Sequence, residues 1–317
     1  MSIIDFFDKL YVSLDNRCVL LNRLHIYSVL RLFVKLGANM MLPMYFRMTA
    51  RNKFYQLDKT DKTSGRFIVS LTSFPARTGR VWLVIETILH QTVKPDMIIL
   101  WLSSKQYQGM ESLPKRLRRL QHRGLTIKFV PEDYRSHKKY YYCLRDFPND
   151  HIITIDDDIF YDTHLVERLL QKHMSNPNDV IANKTHRLGF DAVGNILPCR
   201  QWEQNTSGKN ELFAVGAGGT LYPAHCMDKM ALDINMAMKL TPTGDDIWLN
   251  TMLRLNHRNV IHGSYQFIEQ VSVINLHNVE LITENAYSGN DFQIKQLCDY
   301  LISIGKENPF SQSFYYK

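Results

Sequence analysis

The chain has 317 residues, of which 45% are hydrophobic and 22% are charged, a composition typical of a globular protein that buries a core. Its net charge of +7 is uneven, because residues 1–64 hold ten Lys or Arg against five Asp or Glu and the remainder is nearly neutral. Nucleic-acid binding is therefore not the natural interpretation of the basic composition.

The cysteines argue against a zinc site and a redox motif, because none of the five lies in a CxxC pair. An odd number of scattered cysteines is typical of reduced thiols in a cytosol. The N-terminus has no basic segment followed by a cleavage site. No run of uncharged apolar residues is long enough to span a membrane. We therefore expect a cytoplasmic protein, and peripheral attachment to the inner face of the cell membrane stays open.

Residues 1–64 are predicted to form a basic and apolar helical extension. No Asp or Glu occurs between Asn16 and Leu57, whereas seven Lys or Arg and many large apolar residues do. An anionic membrane surface attracts such a composition, so residues 17–53 are a candidate membrane contact. Packing on the main domain, or contact with another subunit, is the alternative. Residues 58–65 are polar and are predicted to lead into a main domain over residues 65–317.

Strand-like and helix-like segments alternate from residue 66 onwards. Short connections between such segments indicate a mostly parallel, doubly wound α/β sheet with helices on its faces. The predicted strands cover residues 66–72, 97–103, 125–130 and 152–155, and the predicted helices cover residues 81–90, 114–123 and 138–147. Asp162 or Thr163 is expected to cap the next helix.

The pattern is less regular after Pro177. A strand is predicted at residues 180–183, and residues 184–212 are irregular and polar. A glycine cluster at residues 215–222 is not a dinucleotide fingerprint, because GxGxxG is absent and no helix-forming run follows directly. It either lets the backbone approach a ligand closely or forms a strand bulge. The last predicted elements are a helix from Asp245, a strand over residues 271–276 and a closing helix over residues 290–304.

Three consecutive carboxylates, Asp156, Asp157 and Asp158, follow the fourth predicted strand. The carboxyl ends of strands are where open α/β sheets bind ligands. In an extended chain Asp156 and Asp158 project to one side and Asp157 to the other. Two carboxylates on one side suit a hard divalent cation such as Mn²⁺ or Mg²⁺ that also holds a phosphate. The alternative is an acidic surface turn before a helix cap.

A second acidic pair, Asp245 and Asp246, stands at the start of a predicted helix. Backbone N–H groups at a helix start stabilise a charged carboxylate and weaken it as a base. We therefore expect Asp245 to cap the helix and Asp246 to act as a general base toward an attacking hydroxyl. That both residues only cap the helix is the alternative.

Several short motifs follow one another in a specific order along the chain. They are Ile68-Val-Ser-Leu-Thr-Ser-Phe-Pro-Ala-Arg77, Gln91-Thr92 with Pro95-Asp96, Lys139, Ile153-Thr-Ile-Asp-Asp-Asp158 with Tyr161, His186-Arg187, Gly216-Ala-Gly-Gly219 with Leu221-Tyr-Pro223, and Pro242-Thr-Gly-Asp-Asp-Ile-Trp-Leu249. In this order, residues 66 to about 295 resemble bacterial glycosyltransferases of the GT-A fold, close to the family 2 type, that build surface polysaccharides.

The resemblance implies that the aspartate triplet is a DxD motif, which holds a metal ion and a nucleotide sugar. Asp158 would be the direct metal ligand, and Asp156 would lean toward the metal and the ribose or sugar. Asp157 could take over from either neighbour in the donor site. His277 would be a third metal ligand, although a single His after a strand is more often structural. The implied cofactor is Mn²⁺ or Mg²⁺.

The resemblance also implies a donor-binding site around the triplet, with Asp246 as the catalytic base and Asp245 beside it. A diphosphate leaving group needs positive charge besides the metal. Lys139 and Arg187 are candidates for this role, and ordinary ion pairs are the alternative for both. The implied donor contacts are Thr72, Arg77, Lys139, Asp156, Asp157, Arg187, Gly218 and Gly219.

These assignments predict a metal-dependent glycosyltransferase of lipopolysaccharide or capsule biosynthesis. It would move a sugar from a nucleotide-sugar donor, expected to be UDP-linked, to a hydroxyl of a glycan or lipid-linked glycan. The sequence offers a candidate base but no evident nucleophilic residue, and this favours a single displacement that inverts the anomeric carbon. Residues 65–160 would form the donor half and residues 161–317 the acceptor half. Two classes stay open: a non-catalytic sugar- or nucleotide-binding scaffold, and a metal-dependent phosphoryl or nucleotidyl transferase.

Overall fold

Strands and helices alternate along most of the chain. The computed structural model describes residues 1–14, 23, 25–57, 62–204, 211–263, 269–274 and 289–315. The strands are β1 (Phe67–Thr72), β2 (Met97–Ser103), β3 (Leu125–Val130), β4 (His151–Thr154), β5 (Val180–Ala182), β6 (Thr185–Arg187), β7 (Glu203–Gln204), β8 (Leu212–Ala214), β9 (Thr220–Tyr222) and β10 (Val260–His262). The helices are α1 (Ile3–Ser13), α2 (Ile26–Thr49), α3 (Pro75–Thr78), α4 (Val81–Leu89), α5 (Lys115–Arg119), α6 (Lys138–Asp146), α7 (Leu165–Ser175), α8 (Ile234–Leu240), α9 (Asp245–Leu255) and α10 (Asn290–Ser303).

Seven of these strands form one sheet in the order β10-β5-β9-β4-β1-β2-β3. Strands β1 to β4 are parallel to one another, as are β5 and β10. Strand β9 lies antiparallel between β4 and β5. Strands β6, β7 and β8 form a separate antiparallel sheet. The predicted fold class, a mostly parallel α/β sheet flanked by helices, is therefore confirmed, and β9 and β10 are strands of this sheet that the predicted elements lack.

Apolar side chains form two hydrophobic cores, one on each face of the large sheet. In β1, Val69 and Leu71 belong to one core and Ile68 to the other, because successive side chains of a strand point to opposite faces. Helices α4 and α7 cover the first face. Helices α6, α9 and α10 cover the second. Burial on both faces explains why the parallel strands read as nearly continuous apolar runs.

Helices α1 and α2 confirm the predicted helical extension at the N-terminus. Helix α2 buries Val34, Ala38, Leu42 and Phe46, every fourth residue of one face, in the same core as β1. Phe7 of α1 joins that core. One face of the extension therefore packs on the sheet, while the opposite side of α2 is exposed. Within the described ranges, no helix is both long enough and apolar enough to cross a membrane.

Two helices begin later than the cap residues predicted for them. The residue before α7 is His164, and the side chain of Asp162 accepts a hydrogen bond from its backbone N–H at 2.9 Å. Asp162 and Thr163 therefore lie just outside the cap position. Helix α9 follows Gly244, so Asp245 is its first helical residue and not its cap.

The late strand predicted over residues 271–276 is described for residues 271–274. There, Ser272 forms an isolated antiparallel bridge with Ile159. The backbone N–H of Val273 donates to the carbonyl of Asp158 at 2.7 Å. This short segment therefore lies beside the acidic triplet. The remainder of the predicted strand, together with His277, lies outside the described residues.

Candidate active site

Acidic residues, a glycine turn and a helix start meet at one edge of the large sheet. Strand β4 leads directly into the acidic triplet at its carboxyl end. Because β9 is antiparallel to β4 and Thr220 pairs with Thr154, the turn Gly216–Gly218 before β9 lies at the same edge. The glycine cluster is therefore a short turn beside the triplet, and not a strand bulge. Open α/β sheets bind ligands at this kind of edge.

Arg77 binds two aspartates of the triplet. Its Nη1 atom lies 2.8 Å from Oδ1 of Asp157 and 2.9 Å from Oδ2 of Asp158. The hydroxyl of Ser73 donates to the other oxygen of Asp157 at 2.6 Å. Burial by itself would lower the pKa of Arg77, but Asp157 and Asp158 raise it above its ordinary value. Asp157 is buried and engaged on both oxygens, so it orients Arg77 inside the protein.

Asp158 is the more accessible of the two carboxylates that Arg77 contacts, with 27% of its side chain exposed. Burial raises its pKa most, and repulsion from Asp156 adds to the effect, so the pKa of Asp158 reaches about 6 although Arg77 opposes the shift. An accessible carboxylate that is crowded by another carboxylate gains stability when a cation binds. The triplet therefore has a favourable position for a cation at Asp158.

Lys139 connects the triplet to the start of α9. Its Nζ atom donates to Oδ1 of Asp156 at 2.8 Å and lies 3.0 Å from Oδ2 of Asp245. Burial opposes its charge, but Asp156, Asp245 and Asp246 together raise the pKa of Lys139 well above its ordinary value. The Ser70 hydroxyl in β1 donates to the backbone carbonyl of Lys139, which fixes the lysine to the sheet. One buried ammonium group thus joins the acidic triplet to the acidic pair Asp245 and Asp246, which is distant from it in the sequence.

Asp246 is held against the glycine turn. The backbone N–H of Gly216 donates to its Oδ2 at 3.0 Å. A Cβ atom at Gly216 would lie 2.7 Å from Oδ1 of Asp246, so the close approach of turn and carboxylate requires glycine at this position. The glycine that faces the second acidic pair is therefore Gly216, whereas the sequence-based assignments name Gly218 and Gly219.

The two neighbouring aspartates of α9 have opposite pKa shifts. Burial and repulsion from Asp245 raise the pKa of Asp246 to about 7, against the opposing effects of Lys139 and the Gly216 N–H. Burial also disfavours the charge of Asp245, but Lys139 and His137 outweigh it and lower the pKa of that carboxyl. The pair is thus divided into one charged carboxylate and one that exchanges a proton near neutral pH, which is how acid and base roles are separated in enzyme sites.

Tyr161 joins the triplet to the glycine turn. Its hydroxyl accepts from the backbone N–H of Asp156 at 2.9 Å and donates to the carbonyl of Ala217 at 3.1 Å. The ring is fully buried. Tyr161 therefore holds the start of the triplet and the turn at a fixed separation.

Two residues of this edge, Ser73 and Lys184, are absent from the sequence-based assignments. Burial lowers the pKa of Lys184, while Glu269, Asp156 and Asp246 attract its charge and act the other way. Lys184 also lies against the glycine turn, because a Cβ atom added at Gly218 would lie 2.7 Å from the Cβ atom of Lys184. The sequence does contain a signal for both residues, because each lies one or two positions after the end of a strand of the large sheet.

The other predicted donor contacts occupy different surroundings. The hydroxyl of Thr72, at the carboxyl end of β1, donates to the carbonyl of Trp101 at 2.8 Å. Gly219 has a positive φ of 84° and lies against Leu165. Arg187 lies in the small sheet, where its guanidinium donates to Glu203 at 3.0 Å. The structure thus places Arg187 on a sheet that is separate from the acidic edge.

The carboxylates of Asp156 and Asp158 fit a divalent cation. Each has one oxygen engaged by a neighbouring cation, Lys139 and Arg77 respectively. Mg²⁺ and Mn²⁺ accept one or two carboxylates when water and substrate phosphates complete the shell. No group of three His, Cys, Asp or Glu that could hold a metal occurs among the residues that the structure describes, and His277 lies outside them. Asp156 and Asp158 are therefore the residues that would hold the ion.

No protein-family model matches the chain, and a search of curated proteins found no match. Many solved structures match the chain, and two of them, both at low identity, are the following. One is a CMP:2-keto-3-deoxy-manno-octonic acid synthetase complexed with CTP, 12% identical over 63% of this chain and 89% of that chain, with a TM-score of 0.36. The other is the mannosyltransferase PcManGT from Pyrobaculum calidifontis in complex with GDP-Man and Mn²⁺, 11% identical over 89% of this chain and 78% of that chain, with a TM-score of 0.47. Neither likeness is close enough to carry an argument about activity.

Proposed function

We propose that the protein is a metal-dependent glycosyltransferase that moves a sugar from a nucleotide-sugar donor to a hydroxyl of an acceptor. One observation carries this proposal. The Nζ atom of Lys139 contacts Asp156 of the triplet and Asp245 beside Asp246, so a cation-binding pair and a carboxylate with a pKa of about 7 share one sheet edge. A displacement reaction on a diphosphate-linked sugar needs both functions side by side.

The donor is expected to lie over the triplet. A divalent cation held by Asp156 and Asp158 would stabilise negative charge on the departing diphosphate. Arg77 and Lys184 supply further positive charge at this edge, and Asp157 keeps the guanidinium of Arg77 oriented. Thr72, Gly218 and Gly219 stay proposed donor contacts, because β1 ends at Thr72 and β9 begins after Gly219 at this edge. Arg187 could reach a phosphate only from the small sheet, so it is a weaker candidate than Lys184.

Asp246 is proposed as the general base. Its carboxylate would take the proton of the acceptor hydroxyl while that oxygen attacks the anomeric carbon. The Gly216 N–H orients the carboxylate, and Lys139 keeps Asp245 charged beside it. A single displacement of this kind inverts the anomeric carbon. The resemblance described above favours a UDP-linked donor and a glycan or lipid-linked glycan acceptor of surface polysaccharide biosynthesis.

Turnover of a donor panel tests the proposal directly. The full chain is incubated with UDP-, GDP-, CMP- and TDP-sugars, Mn²⁺ and glycan acceptors, and released nucleotide and product mass are measured. We expect release of a nucleoside phosphate from at least one donor, loss of activity with EDTA, and a fall of at least about 100-fold in Asp158→Asn. Asp299→Asn, at an exposed position of α10, is the matched control and should keep full activity.

Two outcomes would contradict the proposal. Binding of nucleotide sugars without turnover, by folded protein across the whole panel, would indicate a scaffold. Release of pyrophosphate from a nucleoside triphosphate in the presence of a sugar phosphate would indicate a nucleotidyl transferase.

A further inference from the structure

Helix α2 carries a second apolar stripe on the side opposite its buried one. The buried stripe is Val34, Ala38, Leu42 and Phe46. The outer stripe of α2 consists of Val29, Phe33, Leu36, Met40 and Met44, whose spacing of three and four residues places them on one helical face. A surface helix of a globular protein normally has one such stripe. The outer stripe is therefore apolar surface in excess of what the fold requires.

The side chains of the outer stripe are well exposed. Phe33 is 66% exposed and Met40 is 67% exposed, and the other three members are exposed as well. At a rise of 1.5 Å per residue, the 24 residues of α2 extend over about 36 Å. A contiguous apolar surface of this length on a folded protein indicates an interaction site.

The charged residues of the segment that carries the outer stripe are all positive, although Arg31 on another side of α2 pairs with Glu269. No Asp or Glu occurs between Asn16 and Leu57. Arg47 continues the outer stripe by one further turn, and Arg51 and Lys53 follow the helix; all three are exposed. The partner that covers the stripe should therefore combine an apolar layer with negative charge.

We propose that the outer stripe of α2 docks the protein on an anionic phospholipid bilayer. The helix would lie in the plane of the interface, because its buried stripe is fixed to the sheet domain and its outer stripe faces away from that domain. Apolar side chains would enter the acyl boundary, and Arg47, Arg51 and Lys53 would contact lipid phosphates. A second copy of the chain is a poorer occupant, because its matching segment is equally basic and offers Arg47, Arg51 and Lys53 no negative partner.

Vesicle binding by the full chain tests this docking without any donor or acceptor, so the result is independent of the proposed glycosyl transfer. Co-sedimentation is compared for vesicles of phosphatidylcholine alone and of phosphatidylcholine with phosphatidylglycerol. We expect binding to the anionic vesicles, weak binding to the neutral ones, and a decrease as salt is added. Absence of binding to the anionic vesicles, or equal binding to both kinds, would overturn the proposal.

Two pairs of variants separate the apolar and the charged contributions. Phe33→Gln/Met40→Gln should weaken binding at least about tenfold, whereas Met174→Gln/Val193→Gln, at exposed apolar positions outside the extension, should leave it unchanged.

For charge, Arg47→Gln/Arg51→Gln should weaken binding roughly tenfold. Lys229→Gln/Lys239→Gln removes the same charge at exposed positions elsewhere and should have a much smaller effect. Thermal unfolding of each variant verifies its fold. Unchanged binding of Phe33→Gln/Met40→Gln would overturn the proposal, and so would a dimer in light scattering that this double variant dissociates.

Discussion

Replacing Lys139 with methionine should destabilise the protein, because the change removes the ammonium group that lies between Asp156 and Asp245. Methionine keeps the length and the apolar stem of the side chain but carries no charge. The carboxylate of Asp245 is only 10% exposed, whereas that of Asp156 is 31% exposed and can be solvated in part. Most of the cost should therefore come from Asp245. Removal of one partner from a buried ion pair costs about 3–5 kcal/mol, and we expect about 3 kcal/mol in the free energy of unfolding.

The cost should depend on pH in a defined direction. Lys139 contributes to lowering the pKa of Asp245 below its ordinary value of 3.8, against the effect of burial. A carboxyl whose pKa is lowered in the folded state stabilises the fold above its ordinary pKa, and this stabilisation is lost as the pH falls through the lowered value. The difference between wild type and Lys139→Met should therefore be full at neutral pH and smaller at a pH below 3.8.

Urea denaturation followed by tryptophan fluorescence measures this difference at both pH values. Lys138→Met is the matched control, because Lys138 is also buried and ion-paired, but with Asp133 and not with the acidic edge. The control should lose less stability than Lys139→Met at neutral pH, because the side chain of Asp133 is 28% exposed and can be solvated in part, whereas that of Asp245 is 10% exposed. A free energy of unfolding for Lys139→Met within about 1 kcal/mol of wild type at neutral pH would refute the reasoning, since a buried carboxylate without its partner must cost more.

Three further predictions concern Asp246, the glycine turn beside it, and Asp8 of α1. With donor turnover as the assay, kcat/KM should fall as the pH drops through about 7, because Asp246 must be unprotonated to act as a base. Asp246→Asn should lower kcat by about 10²–10⁴-fold. A value of kcat/KM that changes by less than about tenfold between pH 5 and pH 8 would contradict the assignment. Gly216→Ala should lower kcat by roughly tenfold or more, because its Cβ would meet the Asp246 carboxylate at 2.7 Å, whereas Gly79→Ala, with no atom within 4 Å of the added Cβ, should be neutral. Burial and repulsion from Asp162 raise the pKa of Asp8 to about 8. This carboxyl therefore destabilises the fold increasingly as the pH rises from 3.8, the ordinary pKa of an aspartate, toward 8. The melting temperature of Asp8→Asn should exceed that of wild type at pH 8 and approach it in acid, and equal melting curves at both pH values would contradict the prediction.

The sequence by itself determines the local elements and the residue types of the site. Apolar runs locate the four parallel strands to within one residue, and apolar residues at helical spacing locate two of the helices between them equally well. The helix predicted over residues 114–123 is α-helical only to Arg119 and continues as a 3-10 turn to Arg123. Three adjacent carboxylates after a strand predict a cation site at this point of the chain, and the structure pairs them with Arg77 and Lys139. Asp245 and Asp246 are placed correctly at the start of a helix. These features depend on residues that are close in sequence, so a pattern along the chain is sufficient to find them.

The tertiary structure alone decides how these pieces meet. Strand β9 has three residues and follows a glycine turn, so no periodicity marks it. Its antiparallel insertion beside β4 nevertheless brings Gly216 to Asp246. The bridge from Asp156 through Lys139 to Asp245 joins three segments that are distant in the sequence. Long-range pairing of this kind sets burial and the distances between charges, and these in turn set the opposite pKa shifts of two adjacent aspartates.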